Sequence, residues 1–294
     1  MDESNLEKIY ATLISRVEDL IKAEDISRLE ALSRALIEVD VEGSRSEKRK
    51  AFQFAYLKQI QDEPVQSNHQ LTPDMIGIIV GYIIDLLSDK QARSVIDVGS
   101  GTGHLSFTLK EVNEEIELTG VEVDPTLVEM NANLCEFLET EMMIHLENII
   151  EPGFIQMHDA AVGDLPIGYY PLEVKGYKTA FKEGQSFAHL LMLEAAMNYV
   201  EEGALGVFIV PSSILTEKAD TFKTYITEDV TMQMFLNLPK SIFKSKDAAK
   251  SIIVLRKGYS PLKNKEVLIG DIPDFKDQHG MTSFLRKLDE WHNR

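Results

Sequence analysis

A glycine-rich turn is the first place in the sequence where the residue types could do chemistry. Residues 97–103 read Asp-Val-Gly-Ser-Gly-Thr-Gly and separate an apolar stretch, residues 94–98, from a helix expected to open near His104. Glycines here let the backbone approach a ligand closely and leave the amides at the helix N-terminus free to donate to it. A dinucleotide-binding turn would need glycine or alanine at position 104, so binding of a pyrophosphate is disfavoured.

An acidic residue follows at a spacing that suits a ribose. Glu122 lies 25 residues after Asp97, near the end of the next expected strand, residues 118–123. Ligands of parallel α/β sheets bind at the carboxyl ends of the strands, so Glu122 is expected beside the glycine turn. A carboxylate only accepts hydrogen bonds, and both ribose hydroxyls can donate to it. The spacing therefore predicts a site for a ligand that carries a ribose.

A second segment, residues 164–171, reads Asp-Leu-Pro-Ile-Gly-Tyr-Tyr-Pro and follows an expected strand at residues 159–163. Its proline and glycine favour a turn, and a structural turn with two tyrosines packed into the core is one interpretation. The alternative is that Asp164 lies at the same edge as the glycine turn and acts on a ligand.

The glycine turn and the strand-end acid resemble the cofactor site of class I S-adenosylmethionine-dependent methyltransferases. The resemblance implies that the turn holds the methionine part of the cofactor, that Glu122 binds the ribose and that a further acid binds the adenine amine. Glu147 and Asp159 compete for the last role. Asp159 lies five residues before Asp164, too few for a crossover between parallel strands, so we expect Glu147. The expected cofactor residues are Thr72, Asp97, Gly99, Ser100, Gly101, Gly103, Glu122 and Glu147.

Residues 164–167 resemble the Asn/Asp/Ser-Pro-Pro-aromatic loop of amino-methyltransferases, especially the adenine-N6 DNA enzymes. An exocyclic amine conjugated with a purine is a poor nucleophile. The resemblance implies that Asp164 and the carbonyl of Leu165 accept its two N–H groups, which makes the nitrogen more electron-rich.

Two positions of this loop depart from the family pattern. Leu165 replaces the first proline, and Ile167 stands where an aromatic residue would stack on a base taken out of its helix. Tyr169 or Tyr170 is expected to supply that ring. The candidate catalytic residues are Asp164, Pro166 and Tyr169.

Residues 69–73, His-Gln-Leu-Thr-Pro, resemble the segment before the glycine turn in one order-class of adenine-N6 enzymes, where Thr72 would contact the methionine end of the cofactor. The same residues predict a helix start, with Thr72 as N-cap and Pro73 at the first helical position. The resemblance extends to about residue 257. It is closest to a group of adenine-N6-type methyltransferases of Gram-positive bacteria with a helical N-terminus.

The elements that position these residues predict an α/β fold with a doubly wound, mostly parallel, Rossmann-like sheet. Strands are expected at residues 94–98, 118–123, 142–146, 159–163, 204–210, 232–238 and 251–255, and helices at 72–87, 105–112 and 125–139. The connection over residues 148–158 is too short for a full helix. Beyond residue 257 we expect a strand and one helix that ends near Trp291.

Apolar residues three and four apart over residues 5–60 predict helices at the N-terminus. We expect a helical module at residues 1–65, packed against a methyltransferase domain at residues 66–294. The outer surface of the module is a candidate site for a protein partner or for self-association.

The charge of the chain limits how it could contact nucleic acid. Its 294 residues carry a net charge of −18, and bulk attraction to a polyanion needs the opposite sign. Residues 111–165 hold 14 acids and neither Lys nor Arg, whereas residues 235–264 hold seven Lys/Arg and one acid. We expect a small basic lip to contact phosphate, although a solvated loop edge explains the same charges. The lip comprises Lys240, Lys244, Lys246 and Lys250.

The sequence shows no sign of a disulfide, a metal site, a secretory signal or a membrane-spanning segment. The single cysteine, Cys135, excludes an internal disulfide and a thiolate zinc site, and no histidines have ligand spacing, so no metal is expected. No secretory signal and no apolar run of membrane-spanning length is visible, so a cytoplasmic location without membrane contact is expected.

The sequence thus predicts an S-adenosylmethionine-dependent methyltransferase of an exocyclic amino group, with adenine N6 of DNA as the first choice of substrate. No target-recognition domain is evident in the 37 residues after Lys257. Methylation of RNA or of a protein amide nitrogen is therefore an alternative, as is a cofactor-binding scaffold or regulator without methyl transfer.

Overall fold

The described part of the chain contains nine α-helices and eight strands. The computed structural model describes residues 4–63, 69–88, 91–153, 155–217, 219–243, 245, 248–258 and 266–293. The helices are α1 Asn5–Ala23, α2 Arg28–Glu38, α3 Arg45–Asp62, α4 Asp74–Leu87, α5 His104–Val112, α6 Pro125–Phe137, α7 Ala188–Asn198, α8 Ala219–Glu228 and α9 Gln278–His292. The strands are β1 Ser94–Val98, β2 Glu117–Glu122, β3 Met143–Leu146, β4 His158–Asp164, β5 Val200–Pro211, β6 Val230–Asn237, β7 Lys250–Lys257 and β8 Leu268–Asp271.

The eight strands form one mixed sheet in the order β3-β2-β1-β4-β5-β7-β6-β8. Strands β1 to β5 pair with one another in parallel, whereas β7 is antiparallel to both β5 and β6, and β8 is parallel to β6. The strand order reverses direction between β1 and β4, where ligands bind in open α/β sheets. The predicted doubly wound, mostly parallel sheet with a helical N-terminal region is confirmed.

The alternation of side chains along the strands explains the three layers. In β7, Ile252 and Val254 join one apolar core, whereas Ile253 and Leu255 join the core on the opposite face. Helices α4, α5 and α9 contribute apolar residues to the first core, and α7 and α8 contribute to the second. The sheet is therefore covered by helices on both faces, as a largely parallel sheet requires.

Helices α1, α2 and α3 share a third core with α5 and α6. Their contribution to it includes Leu13, Leu32 and Phe52, which pack with Phe107 of α5 and Leu134 of α6. The N-terminal helices are thus bound to the sheet through two of its covering helices. The boundary expected between residues 65 and 66 lies outside the described residues and stays a prediction.

A buried guanidinium joins α3 to the two helices on either side of the glycine turn. Arg49, 2% exposed, makes two hydrogen bonds to Asp74, at 2.8 and 3.2 Å, and two to Glu111, at 3.0 and 2.6 Å. Burial opposes the charge of Arg49, but the hydrogen bonds to both acids outweigh it and hold its pKa above the usual value. A bidentate pair on each side satisfies most of the guanidinium donors, so burial of this charge is tolerated.

The start of α4 corrects one expectation. Pro73, rather than Thr72, occupies the N-cap position, and no side chain caps the helix. The hydroxyl of Thr72 donates to Asp164 at 2.9 Å, so it binds the last residue of β4 instead of capping α4. The short 148–158 connection contains no helix in its described residues, as predicted.

Removal of the Arg49 charge should destabilise the whole fold. R49M keeps the apolar stem but leaves two partly buried carboxylates without their partner, so the free energy of unfolding should fall by about 3 to 5 kcal/mol. Arg286, 72% exposed in its pair with Glu290, provides the matched control. R286M should change stability by no more than about 0.5 kcal/mol. Urea unfolding followed by circular dichroism measures both, and equal losses in the two variants would contradict a structural role for Arg49.

Candidate active site

The glycine turn connects β1 to α5, and its three glycines all adopt left-handed backbone conformations. Gly99, Gly101 and Gly103 have φ values of 68°, 53° and 80°. A side chain at Gly103 would collide with Asn131 and Phe107, whereas no atom lies within 4 Å of a Cβ added at Gly101. The spacing of the glycines thus follows from backbone geometry, and the space above Gly101 is open.

Glu122, at the end of β2, is held by three backbone amides. Its Oε2 accepts from the Gly101 amide at 2.9 Å, and its Oε1 accepts from the amides of Val123 and Asp124 at 2.8 and 3.0 Å. These bonds fix the carboxylate beside the glycine turn, where the sequence predicts it. Val123 next to it is an apolar side chain that is 66% exposed.

Asp97, at the penultimate position of β1, is buried below the turn. It accepts a hydrogen bond from the Ser106 hydroxyl at 2.7 Å. Burial, together with the charges of Asp164 and Glu122, raises the pKa of Asp97 to about 7, and the Ser106 bond opposes this only in part. Three acids therefore face one small region at the carboxyl edge of the sheet.

Asp164, the last residue of β4, has both carboxylate oxygens engaged. Thr72 donates to Oδ2 at 2.9 Å, and the Lys250 ammonium donates to Oδ1 at 2.5 Å. The same ammonium also donates to the carbonyl of Leu165 at 3.0 Å. One nitrogen thus binds both acceptors that the family resemblance assigns to a substrate amine.

The tyrosines after Asp164 take different positions. Tyr170 is tied down, since its hydroxyl accepts a hydrogen bond from Asn148 at 2.6 Å. The ring of Tyr169 is 53% exposed and stacks on Phe187, with ring centroids 4.8 Å apart. Phe187 stacks in turn on the buried His189 at 5.1 Å. Of the two tyrosines expected to supply a stacking ring, Tyr169 has the more exposed face.

The other loop residues lie close to this aromatic stack. Ile167 is 50% exposed, Pro166 is half-buried, and Leu165 is fully buried with its amide bonded to Ile209. Burial of the Leu165 side chain gives a physical reason for the departure from proline at this position. Burial, and then the charge of Lys250, lower the pKa of His189 to about 4, although its hydrogen bond to the Pro166 backbone opposes this.

Glu147 and Asp159, the two acids considered for the cofactor's adenine, lie at opposite ends of the strands: Glu147 at the carboxyl edge of the sheet and Asp159 at the amino edge. Glu147 directly follows β3, where its amide donates to the carbonyl of Glu122 and its carboxylate accepts from the Gly153 amide at 2.5 Å. Asp159, at the start of β4, accepts from the amides of Arg93 and Ser94 at 2.9 Å. The interpretation of Asp159 as the polar start of a strand is confirmed. Its place at the amino edge removes it from the candidate site.

The expected basic lip is corrected at one residue. The Lys250 ammonium points at Asp164 instead of outward, so Lys250 is not a free phosphate contact in this structure. Lys240 is exposed, and Lys244 and Lys246 lie outside the described residues.

Lys250, Phe187 and His189 are neighbours of the loop that the sequence pattern does not predict. For Lys250 a signal existed: in a strand that runs antiparallel to its neighbours, the first residue lies at the carboxyl edge of the sheet. The topology of β7 therefore brings Lys250 to Asp164 across β5. No comparable signal in the sequence identifies Phe187 or His189.

The described residues show neither a metal cluster nor a membrane-spanning helix. The described part of the chain contains no group of three or more His, Cys, Asp or Glu side chains arranged to hold a metal ion. None of its helices combines the length and apolar character that a membrane crossing requires.

The sheet order, the glycine turn and the strand-end acids define a class I methyltransferase fold. A model of the N-6 DNA methylase family matches residues 66–292. The chain belongs to the N-6 DNA methylase family.

Known relatives are consistent with this assignment. The uncharacterised protein YtxK of Bacillus subtilis (strain 168) is 33% identical over 253 residues, which are 84% of this chain and 77% of that protein. A solved Listeria monocytogenes structure, described as a class I S-adenosylmethionine-dependent methyltransferase, is 26% identical with a TM-score of 0.88, and the match covers 98% of this chain and 99% of that one. The methyltransferase subunit of a type I restriction-modification system from Streptococcus thermophilus shares the fold at 14% identity, with a TM-score of 0.71 over 98% of this chain and 74% of that one.

The raised pKa of Asp97 should make stability depend on pH. Between its usual value of 3.8 and about 7, the folded protein keeps a proton that the unfolded chain has lost. Stability should therefore fall as pH rises through this window, by up to about 1.4 kcal/mol per pH unit from this group alone. Urea unfolding of wild type and D97N at pH 5, 6 and 7 measures the effect, and D97N should show the flatter dependence.

D159N is the matched control for this measurement. Hydrogen bonds from the amides of Arg93 and Ser94 outweigh burial and hold the pKa of Asp159 below its usual value, so it contributes no titration between pH 5 and 7. D159N should unfold more easily at every pH but keep the wild-type slope. A D97N slope equal to that of wild type would refute the buried, protonated Asp97.

Proposed function

We propose that the protein transfers a methyl group from S-adenosylmethionine to N6 of adenine in DNA. Membership of the N-6 DNA methylase family supports the reaction class. The observation that carries the proposal for this chain is the pair of acceptors at the end of β4: one nitrogen, Lys250 Nζ, lies 2.5 Å from Asp164 and 3.0 Å from the Leu165 carbonyl. An exocyclic NH₂ group, which has two donors, fits the same pair.

The residues around this pair would make the amine a better nucleophile. Two hydrogen bonds to oxygen acceptors raise the electron density on the nitrogen and fix the direction of its lone pair. Thr72 holds Asp164 in place through Oδ2, so Oδ1 remains the oxygen that faces the amine. The same Oδ1 is placed to take up the proton that the amine loses. We assign Asp164 as the catalytic acceptor and Thr72 as its positioning residue.

The glycine turn has the features that a cofactor with a ribose and an amino-acid end needs. The Ser100 hydroxyl is buried without a hydrogen-bond partner among the described residues, and the space above Gly101 is open. Asp97 and Glu122 supply acceptors, and exposed Val123 and Leu146 supply an apolar surface for a flat ring. When bound, S-adenosylmethionine supplies an electrophilic methyl group on a sulfonium.

These positions support a proposal for the contacts of each cofactor residue. We assign Asp97, Gly99, Ser100, Gly101 and Gly103 to its methionine end, Glu122 to the ribose and Glu147 to the adenine amine. Contact of Thr72 with the cofactor stays a prediction, because its hydroxyl is bonded to Asp164.

The loop after β4 suits a base that has been taken out of the duplex. An adenine amine in duplex DNA is paired and stacked, so the base must leave the helix before it can be methylated. The exposed ring of Tyr169, supported from behind by Phe187, offers a stacking surface in the loop that follows Asp164. Lys240 remains as the described, exposed residue of the proposed phosphate-binding lip, and a DNA substrate agrees with the cytoplasmic location expected from the sequence.

Methyl transfer to DNA tests the proposal directly. Protein with tritium-labelled S-adenosylmethionine is offered duplex DNA, single-stranded DNA and RNA, and the labelled nucleoside is identified after digestion. We expect N6-methyldeoxyadenosine from DNA and at least about 100-fold slower transfer by D164A, whose cofactor affinity should stay within about twofold of wild type. D159A, altered at the other end of β4, should keep the wild-type rate once corrected for folded fraction. Label in RNA or protein alone, or unchanged transfer by D164A, would exclude the proposal.

Binding of the cofactor is tested separately at Gly101. A methyl group there meets no protein atom, so G101A should fold at the cost of the strain that its positive φ, 53°, imposes on alanine, but it would fill the space assigned to the cofactor. We expect calorimetry to show at least about tenfold weaker binding of S-adenosylmethionine, a loss of about 1.4 kcal/mol. G203A is the matched control, because Gly203 also has a positive φ, 81°, and open space around it, but lies at the amino end of β5. Equal affinities of the two variants would remove the turn from the cofactor site.

A further inference from the structure

Lys250 occupies the position that a substrate amine would need. Its ammonium donates to both Asp164 Oδ1 and the Leu165 carbonyl. Thr72 already uses the second oxygen of Asp164. An incoming amine therefore has no free pair of acceptors at the end of β4 until the ammonium leaves.

Only the side chain of Lys250 can move easily. Its backbone is fixed as the first residue of β7, where it pairs with Pro211 of β5 and its carbonyl accepts from the Leu238 amide at 3.2 Å. Four carbons link this fixed backbone to the ammonium, so the charge can swing away from Asp164 without disturbing the sheet. Part of the Lys250 side chain, 20% of its surface, already reaches solvent.

The surroundings of Lys250 make its displacement unfavourable unless a new anion arrives. Among the residues that the structure describes, Asp164 is the one acid paired with Lys250. A displaced ammonium would lose two charge-assisted hydrogen bonds. A neutral nucleoside brings nothing to compensate for this loss, whereas a nucleotide brings a phosphate.

We propose that Lys250 is a specificity-determining residue, whose ammonium blocks the amine position of the substrate-free protein and gives way to an adenine only when a phosphate of the same nucleotide binds the displaced ammonium. This inference rests on the proposed function, because it takes the Asp164 and Leu165 acceptors as the amine site. It explains how a chain of net charge −18 could select a base in a polyanion over the same base in a free nucleoside.

Binding without the cofactor tests the idea. The probes are deoxyadenosine and deoxyadenosine 5′-monophosphate, which share the amine and differ in the phosphate, and titration calorimetry gives their affinities for wild type and K250M. Wild type should bind the nucleotide at least about tenfold more tightly than the nucleoside. K250M should bind deoxyadenosine at least about tenfold more tightly than wild type does, and its preference for the nucleotide should fall below about threefold. K287M, altered at an exposed lysine of α9, should match wild type for both probes.

Each other outcome overturns the inference. An equal nucleotide preference in wild type and K250M would place the phosphate contact elsewhere. Weaker binding of both probes by K250M would show that Lys250 only holds Asp164 in position. If K250M did not bind deoxyadenosine, removal of the ammonium would not have freed the amine position. K250Q replaces K250M if circular dichroism shows that the latter is unfolded. Because no methyl transfer is measured, failure of DNA methylation would refute the proposed function and leave this result interpretable.

Discussion

One carboxylate, that of Asp164, joins three distant parts of the chain at the centre of the site. It ends β4, accepts from Thr72 ahead of α4 and pairs with Lys250 at the start of β7. These two partners lie 92 and 86 residues away in sequence. The arrangement requires β7 to be antiparallel to β5, because only that direction brings the first residue of β7 to the carboxyl edge of the sheet. The chemistry of the site is thus a consequence of strand direction.

A second constraint acts behind the glycine turn. Arg49 of α3 clamps Asp74 and Glu111, which lie on the helices before and after the turn. Gln53, one turn further along α3, contacts both Asp74 and His104, the residue that follows the last glycine. Burial, with the charge of Arg49, lowers the pKa of His104 to about 3, so this neighbour of the turn is neutral. The N-terminal helices therefore hold the turn in position as well as covering it.

The sequence predicted those features that depend on local pattern. The strands show apolar alternation, the glycines need positive φ, and Glu122 and Asp164 follow strands that end at one edge, so all of these were accessible without the structure. The partners of Asp164 could not be predicted, because the Thr72 hydroxyl and the Lys250 ammonium come from remote segments and meet Asp164 only when the chain packs. Thr72 illustrates the limit: its position before a helix favours an N-cap, but the stronger acceptor is a carboxylate from another element. Lys250 illustrates the same limit. Counting charges along the sequence shows that a lysine lies in a basic segment, but it does not show which way the side chain points.

The third apolar core has a consequence for how the chain folds. It is built from α1, α2 and α3 together with Phe107, Met130 and Leu134 of the sheet-covering helices, and Asn133 of α6 donates to the Ser33 carbonyl and hydroxyl. If the N-terminal helices detached, these side chains would face water, and the helix that follows the glycine turn would lose the packing of Phe107. The two parts are therefore expected to unfold in a single cooperative transition, which makes the N-terminal helices an obligatory element of the folding unit.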